Sequence, residues 1–156
     1  MDELYAALEQ VNQFYRESNG IYHEISVALN MTDTTFYIFY ALSETDRPLD
    51  QRQLCADWNL PKQTVNSAVA ALVKQGLVYL EPGKGRSKYI RLTDAGKEIV
   101  RKKIDPIRQM ECRALQQMEP EERRRFLELM ARYTHLLHTQ ADATITSLKT
   151  KGASNS

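Results

Sequence analysis

Lys62, Gln63, Asn66, Ser67, Ala70 and Lys74 share one side of a helical run that opens at Pro61, and no Asp or Glu interrupts them. Residues of these types at this spacing can do recognition chemistry rather than bond-making chemistry. Gln and Asn can pair bidentately with adenine in the major groove of a duplex, Ser can serve either base type, and Lys can reach guanine or a phosphate. A second basic group follows in Glu81-Pro82-Gly83-Lys84-Gly85-Arg86-Ser87-Lys88, where glycines permit a loop and Lys84, Arg86 and Lys88 charge its tip and base. Beside a helix in a groove, such a loop is placed to reach phosphates or the neighbouring minor groove. Taken alone, the helix face also fits an ordinary solvated surface. The loop could cradle a nucleotide phosphate, but it lacks the Walker pattern and its Lys-Ser/Thr pair.

The elements around these residues decide between the alternatives. Pro48 to Leu60 is expected to form a short helix with Asp50 and Gln53 at capping-box spacing. Leu54, Trp58 and Leu60 point inward, and Asn59 stands where the helix must stop in a left-handed conformation. Pro61 then opens a second helix at its first turn. Val65, Ala68, Val69, Leu72 and Val73 form its buried stripe, and Gly76 ends it. Leu77–Leu80 and Lys88–Leu92 are β-prone runs flanking the basic loop, and Thr93 caps the next helix. Two short helices followed by a β-hairpin is the order of a winged helix-turn-helix. In that setting Arg52, Gln53, Lys62, Gln63, Thr64, Asn66, Ser67, Lys84, Arg86 and Lys88 are the candidate contacts to double-stranded DNA.

Leu60-Pro61-Lys62-Gln63-Thr64-Val65-Asn66-Ser67, the Gly76-Leu77-Val78 exit and Arg91-Leu92-Thr93-Asp94-Ala95-Gly96 resemble the MarR family (multiple antibiotic resistance regulators). The layout is similar over nearly the whole chain. The sequence departs from the family pattern in the wing, where an Asp-x-Arg pattern is usual and only Arg86 carries over. It also departs in the recognition helix, where an Arg often stands at the place of Ser67 or Ala68. The resemblance implies terminal helices that interlock into a homodimer, a pseudo-palindromic operator and repression by blocking polymerase. It also implies a small aromatic or anionic effector bound between the dimer helices and the head.

The distribution of charge fits this picture better than its total. The chain carries 21 Lys+Arg against 20 Asp+Glu, a net +1. From Pro61 to Arg91, six cations against Glu81 alone give +5, which leaves −4 for the rest. A basic head on a mildly acidic body is the footprint of a DNA binder that is not a general polyanion sponge. With 156 residues and 42% hydrophobic content, the chain can fill one core. It shows no membrane-length apolar run and no signal-peptide pattern, and its two cysteines make no disulfide framework. A cytoplasmic, reduced protein is expected.

The fold class expected is mainly α with a small β-hairpin wing: a winged helix-turn-helix between long N- and C-terminal dimerisation helices. One domain covers 1–149, with 1–31 and 93–149 as dimerisation helices and 32–92 as the winged-helix region; 150–156 is expected to be a flexible tail. Leu4, Leu8, Val11, Tyr15, Tyr22, Ile25 and Leu29 trace a helical seam, in which Gly20 is a candidate kink. Thr32 or Asp33 caps a following helix that is apolar nearly all round and so must be buried. Thr93 starts a helix to about Met118, in which Pro106 should cause a kink or relieve a local backbone bond, and Pro120 opens the last helix. The apolar stripe Phe126, Met130, Tyr133 and Leu137, with Leu129 and Leu136 off it, suggests contact beyond the protein's own head.

Tyr15, Tyr22, His23, Tyr37 and Tyr40 are the candidate ligand-pocket residues, since Tyr offers an apolar body with a polar tip; the plainer reading is a core with satisfied hydroxyls. Cys112, near Arg108 and Arg113, is a candidate redox thiol, with Cys55 read as an inert buried thiol. His135 and His138, three apart, could meet one ion but lack further ligands. No catalytic residue, metal site or cofactor is expected. The competing class is a winged-helix interaction module without specific DNA binding, which would show an acidic or apolar outer face on the second helix.

Overall fold

The computed structural model describes residues 1–44, 49–83, 85 and 87–153, with backbone alone at 151–153. The chain falls into two compact units, Met1–Arg108 and Gln109–Ser156.

The first unit begins with α1 (Asp2–Ala28), a single helix with no break at Gly20. Helix α2 (Asp33–Glu44) follows, with Thr32 as its cap: the Thr35 N–H donates to Thr32 Oγ1 at 3.2 Å. Next come β1 (Leu49–Asp50), α3 (Gln51–Asp57), α4 (Lys62–Lys74) and the hairpin β2 (Val78–Pro82) and β3 (Lys88–Leu92). Pro48, the expected start of the short helix, lies outside the described residues. The sheet has three antiparallel strands in the order β1-β3-β2. Hydropathy does not announce β1, because a two-residue strand has too few residues to alternate.

Three of these helices end alike. At α1, Asn30 adopts φ 54°, and the Asn30 and Met31 N–H groups return to Val27 and Ser26 carbonyls at 3.0 and 2.9 Å. At α4, Gly76 (φ 70°) and Leu77 return to Val73 and Leu72, both at 3.0 Å. At α3, Asn59 takes φ 48° and the Leu60 N–H reaches the Cys55 carbonyl at 3.1 Å. Each is a Schellman-type end, which satisfies orphan carbonyls and turns the chain sharply toward the next element. Pro61 is the N-cap of α4 in extended backbone rather than its first helical residue, so α4 starts at Lys62.

The core joins these elements. Phe36, Ile38, Phe39 and Ala41 of α2 pack with Leu54, Val65, Val69, Leu72, Val78 and Ile90. Of the stripe expected on α4, Val73 turns out exposed, because it stands a further 100° round from Leu72. Tyr22 and Ile25 of α1 and Leu29 just after it join the core, while Leu4 and Leu8 remain exposed.

After β3 the expected single helix is three segments: α5 (Asp94–Ile99), a π-helical stretch (Val100–Ile104) and α6 (Asp105–Gln116). Thr93 caps α5, accepting from the Gly96 N–H at 3.1 Å. Pro106 explains the π stretch. In a regular α-helix it could not donate to the Lys102 carbonyl and its ring would crowd it. Here the Asp105 N–H bonds to the Val100 carbonyl, a wider turn that absorbs the mismatch just ahead of the proline. Val100 and Ile104 still face the core. Lys103 and Arg108 donate to the Leu29 and Ser43 carbonyls, each at 2.8 Å, placing cations at the carboxyl ends of α1 and α2.

The second unit holds the end of α6 and α7 (Pro120–Ala153). Pro120 is the first helical residue, as expected, and the Glu119 N–H donates to Glu122 Oε2 at 3.0 Å. The helix continues through Ala153, past Thr150, where the sequence pattern suggests a tail.

Candidate nucleic-acid interface

The exposed face of α4 carries Lys62, Gln63, Thr64, Asn66, Ser67, Ala70 and Lys74, all solvent-exposed. The buried stripe on the other side fixes the helix rotation, so this face is the one left outward. Among the described residues no side chain caps the α4 N-terminus, since Pro61 has none able to accept. Its first-turn N–H groups therefore remain available to an anion.

Three cations from three different elements line one groove beside that terminus. Arg52 of α3, Lys62 of α4 and Lys88 of β3 line a groove of about 630 Å³ together with Asp50, Gln51, Cys55, Leu80 and Ser87. Strand pairing is the cause. Leu49 pairs with Ile90 and Asp50 with Tyr89, which seats the first turn of α3 against the base of the wing. The left-handed turn at Asn59 then returns the chain so that α4 begins at the same place. Leu80, opposite Ile90 in the hairpin, gives part of the apolar wall.

Not every expected contact is free for this role. Gln53 is held in the capping box: its N–H donates to Asp50 Oδ1 at 2.8 Å, and its Oε1 accepts from the Asp50 N–H at 3.1 Å. Only its amide nitrogen remains to meet a phosphate. Arg91, one of the six cations of the basic segment, is ion-paired with Glu81 across the hairpin. That hydrogen bond raises the arginine pKa further, so the guanidinium stays charged and held against the Glu81 carboxylate. Lys84 and Arg86 lie outside the described residues. Cys55 is half-buried rather than fully buried: it packs against the core and also lines the groove; Cys112 is exposed on α6.

The candidate pocket residues divide. Tyr22, Tyr37 and Tyr40 come together with Phe36 and Trp58, with Tyr37–Trp58 and Phe36–Tyr37 ring centroids at 5.2 and 5.4 Å. Burial first, then the Asp33 carboxylate, pushes the Tyr37 phenol up. Tyr15 is exposed on α1. His23 is also exposed, with Nδ1 at 3.0 Å from Asp33 Oδ2. In sequence Trp58 is legible only as an inward residue; its place among the tyrosines has no signal in local spacing.

The Arg91–Gly96 motif has a structural explanation. Thr93 Oγ1 donates toward the Gly76 carbonyl at 2.7 Å, and a Cβ at Gly96 would meet the Leu77 carbonyl oxygen at 2.0 Å. The start of α5 is thus packed on the exit of α4, which fixes the wing relative to the outward face.

Residues 29–87 match the model of the MarR family. The matched stretch runs from the end of α1 through α2, α3 and α4 into the wing, and it is similar to the winged helix of that family. Solved MarR-family structures share its fold. A MarR family regulator from Neisseria meningitidis superposes with a TM-score of 0.76 at 18% identity, over 88% of this chain and 98% of that one. A MarR family transcriptional regulator from Listeria monocytogenes, complexed with a 26mer DNA, gives 0.66 at 17% identity, over 83% and 87%. The PcaV transcriptional regulator from Streptomyces coelicolor, in complex with its natural ligand, gives 0.59 at 22% identity, over 80% and 91%. At these identities the likeness is one of fold. No curated protein matches the chain. Among the described residues, no helix is long and apolar enough to cross a membrane.

Proposed function

We propose that this MarR-family protein is a dimeric, sequence-specific DNA-binding regulator in the cytoplasm, repressing from a pseudo-palindromic operator and released by a small aromatic or anionic effector. The observation that carries the reading is the groove between α3, α4 and the wing. Arg52, Lys62 and Lys88 converge there beside an uncapped helix terminus, and the acid-free face of α4 adjoins it. Such a site takes a backbone phosphate while the neighbouring face meets base edges. An interaction module that had lost DNA binding would have no use for this convergence. The Listeria relative, bound to DNA, is consistent with the same docking. The Streptomyces relative, bound to its ligand, favours an effector, for which the Tyr22, Tyr37 and Tyr40 cluster is the proposed neighbourhood.

The test is a titration of DNA from just upstream of the protein's own coding region, at two salt concentrations and with competitor DNA. Tight, salt-sensitive binding that survives the competitor is expected. Binding no better than to competitor, at that site and at genome-wide selected sites alike, would remove the regulator reading.

A further inference from the structure

The outward face of α4 has a cationic beginning and end and an uncharged centre. Gln63, Asn66, Ser67 and Ala70 are all exposed. Among the described residues, no hydrogen bond holds the carboxamide of Gln63 or Asn66. Both amides are therefore unspent, and one helical turn sets them on the same side. No Lys or Arg stands between Lys62 and Lys74. At about 1.5 Å per residue, a helix of 13 residues is about 20 Å long. A major groove is about 12 Å wide, so side chains at the two helix ends reach the flanking backbones rather than the groove floor. For Lys62 a second observation agrees, because it lines the cationic groove with Arg52 and Lys88.

We infer that the half-site under α4 is A·T-rich: Gln63 and Asn66 each pair with an adenine, and the Ala70 methyl packs against a thymine methyl. The inference rests on the DNA-binding reading above and specifies its target. Adenine shows a donor (N6–H2) and an acceptor (N7) at its major-groove edge, which a carboxamide matches with its own acceptor and donor. Guanine shows two acceptors, N7 and O6. A carboxamide set against it turns its carbonyl oxygen toward O6, and the contact becomes repulsive. Arg and Lys are the side chains that hold guanine bidentately, and the centre of this face has neither.

The experiment uses the full-length protein and a pool of duplexes with randomised half-sites, followed by titrations of the selected site. An A·T core is expected, and each A·T-to-G·C swap at a contacted position should weaken binding about tenfold. Replacing the contacted adenines by 7-deazaadenine removes N7 and leaves base pairing intact. It should weaken the wild type several-fold and leave the Gln63→Ala, Asn66→Ala double variant unaffected. Ser67→Arg should admit guanine at one position. A selected G·C core with retained tight binding overturns this inference and leaves the regulator reading standing. So does an A·T preference unmoved by the double variant and by 7-deazaadenine, which would mean that duplex shape is read instead. Enrichment of no sequence at all removes the regulator reading and this inference with it.

Discussion

Arg52 and Lys88 separate two roles that a basic protein surface can play. Each lines the groove but neither lies on α4, so the proposed docking has each meet phosphate without touching a base. Neutralising either, as Arg52→Met or Lys88→Met, should weaken all DNA sequences about equally and reduce the slope of log affinity against log salt by about 1. Binding titrations across salt concentrations check this; a loss confined to the operator would instead make that residue a base reader. Arg91→Met should change the slope much less, because the ion pair with Glu81 holds its guanidinium within the hairpin rather than on a phosphate. In sequence, Lys88 and Arg91 look like equal members of a basic run. Only the pairing of β2 with β3 shows that one is spent within the hairpin.

At the scale of elements, glycine positions give the sharpest contrast. Gly96 stands where a Cβ would lie 2.0 Å from the Leu77 carbonyl oxygen, a backbone atom that cannot swing away. Gly96→Ala should destabilise the protein by about 1–3 kcal/mol or more, as overpacked sites do, and should weaken DNA binding by shifting the wing. Gly20 sits inside α1, and a Cβ added there would meet nothing within 4 Å. Gly20→Ala should therefore stabilise by about 0.5–1 kcal/mol, the helical cost of glycine. Urea unfolding of both variants tests the pair, and a stable Gly96→Ala protein would contradict the close packing of α5 on the α4 exit. These elements also mark how far the sequence is legible. The caps at Asp50 and Thr93 and the ends at Asn59 and Gly76 are local chemistry and can be read as such. Asn30 carries the same kind of signal, an Asn just past the last apolar residue of a helix. The strand β1 and the joining of Trp58 to the tyrosines depend on contacts between distant residues, which periodicity does not carry; the π stretch has a local cause in Pro106, but the proline alone does not say whether the helix kinks or widens.

For the whole molecule, the exposed apolar side chains of α7 bear on assembly. Phe126, Met130, Leu136 and Leu137 are each 41–52% exposed. An isolated soluble chain has little reason to keep so many large apolar groups in water along one helix, and a second copy would cover them. A dimer also supplies what one head lacks, since two recognition helices about 34 Å apart can read two half-sites at once. Leu136→Glu discriminates well between these possibilities. Leu136 is half-exposed in the single chain, so the substitution should change monomer stability by no more than about 0.5 kcal/mol. Buried in a dimer, the unpaired carboxylate would cost several kcal/mol. Sedimentation equilibrium should show twice the chain mass for the wild type and a single chain for Leu136→Glu. The variant's operator affinity should fall by orders of magnitude and its salt slope by about half, because half the phosphate contacts are gone. A wild type that sediments as a monomer would contradict the dimer itself, whereas a variant that stays dimeric with full affinity would move the interface elsewhere on the chain.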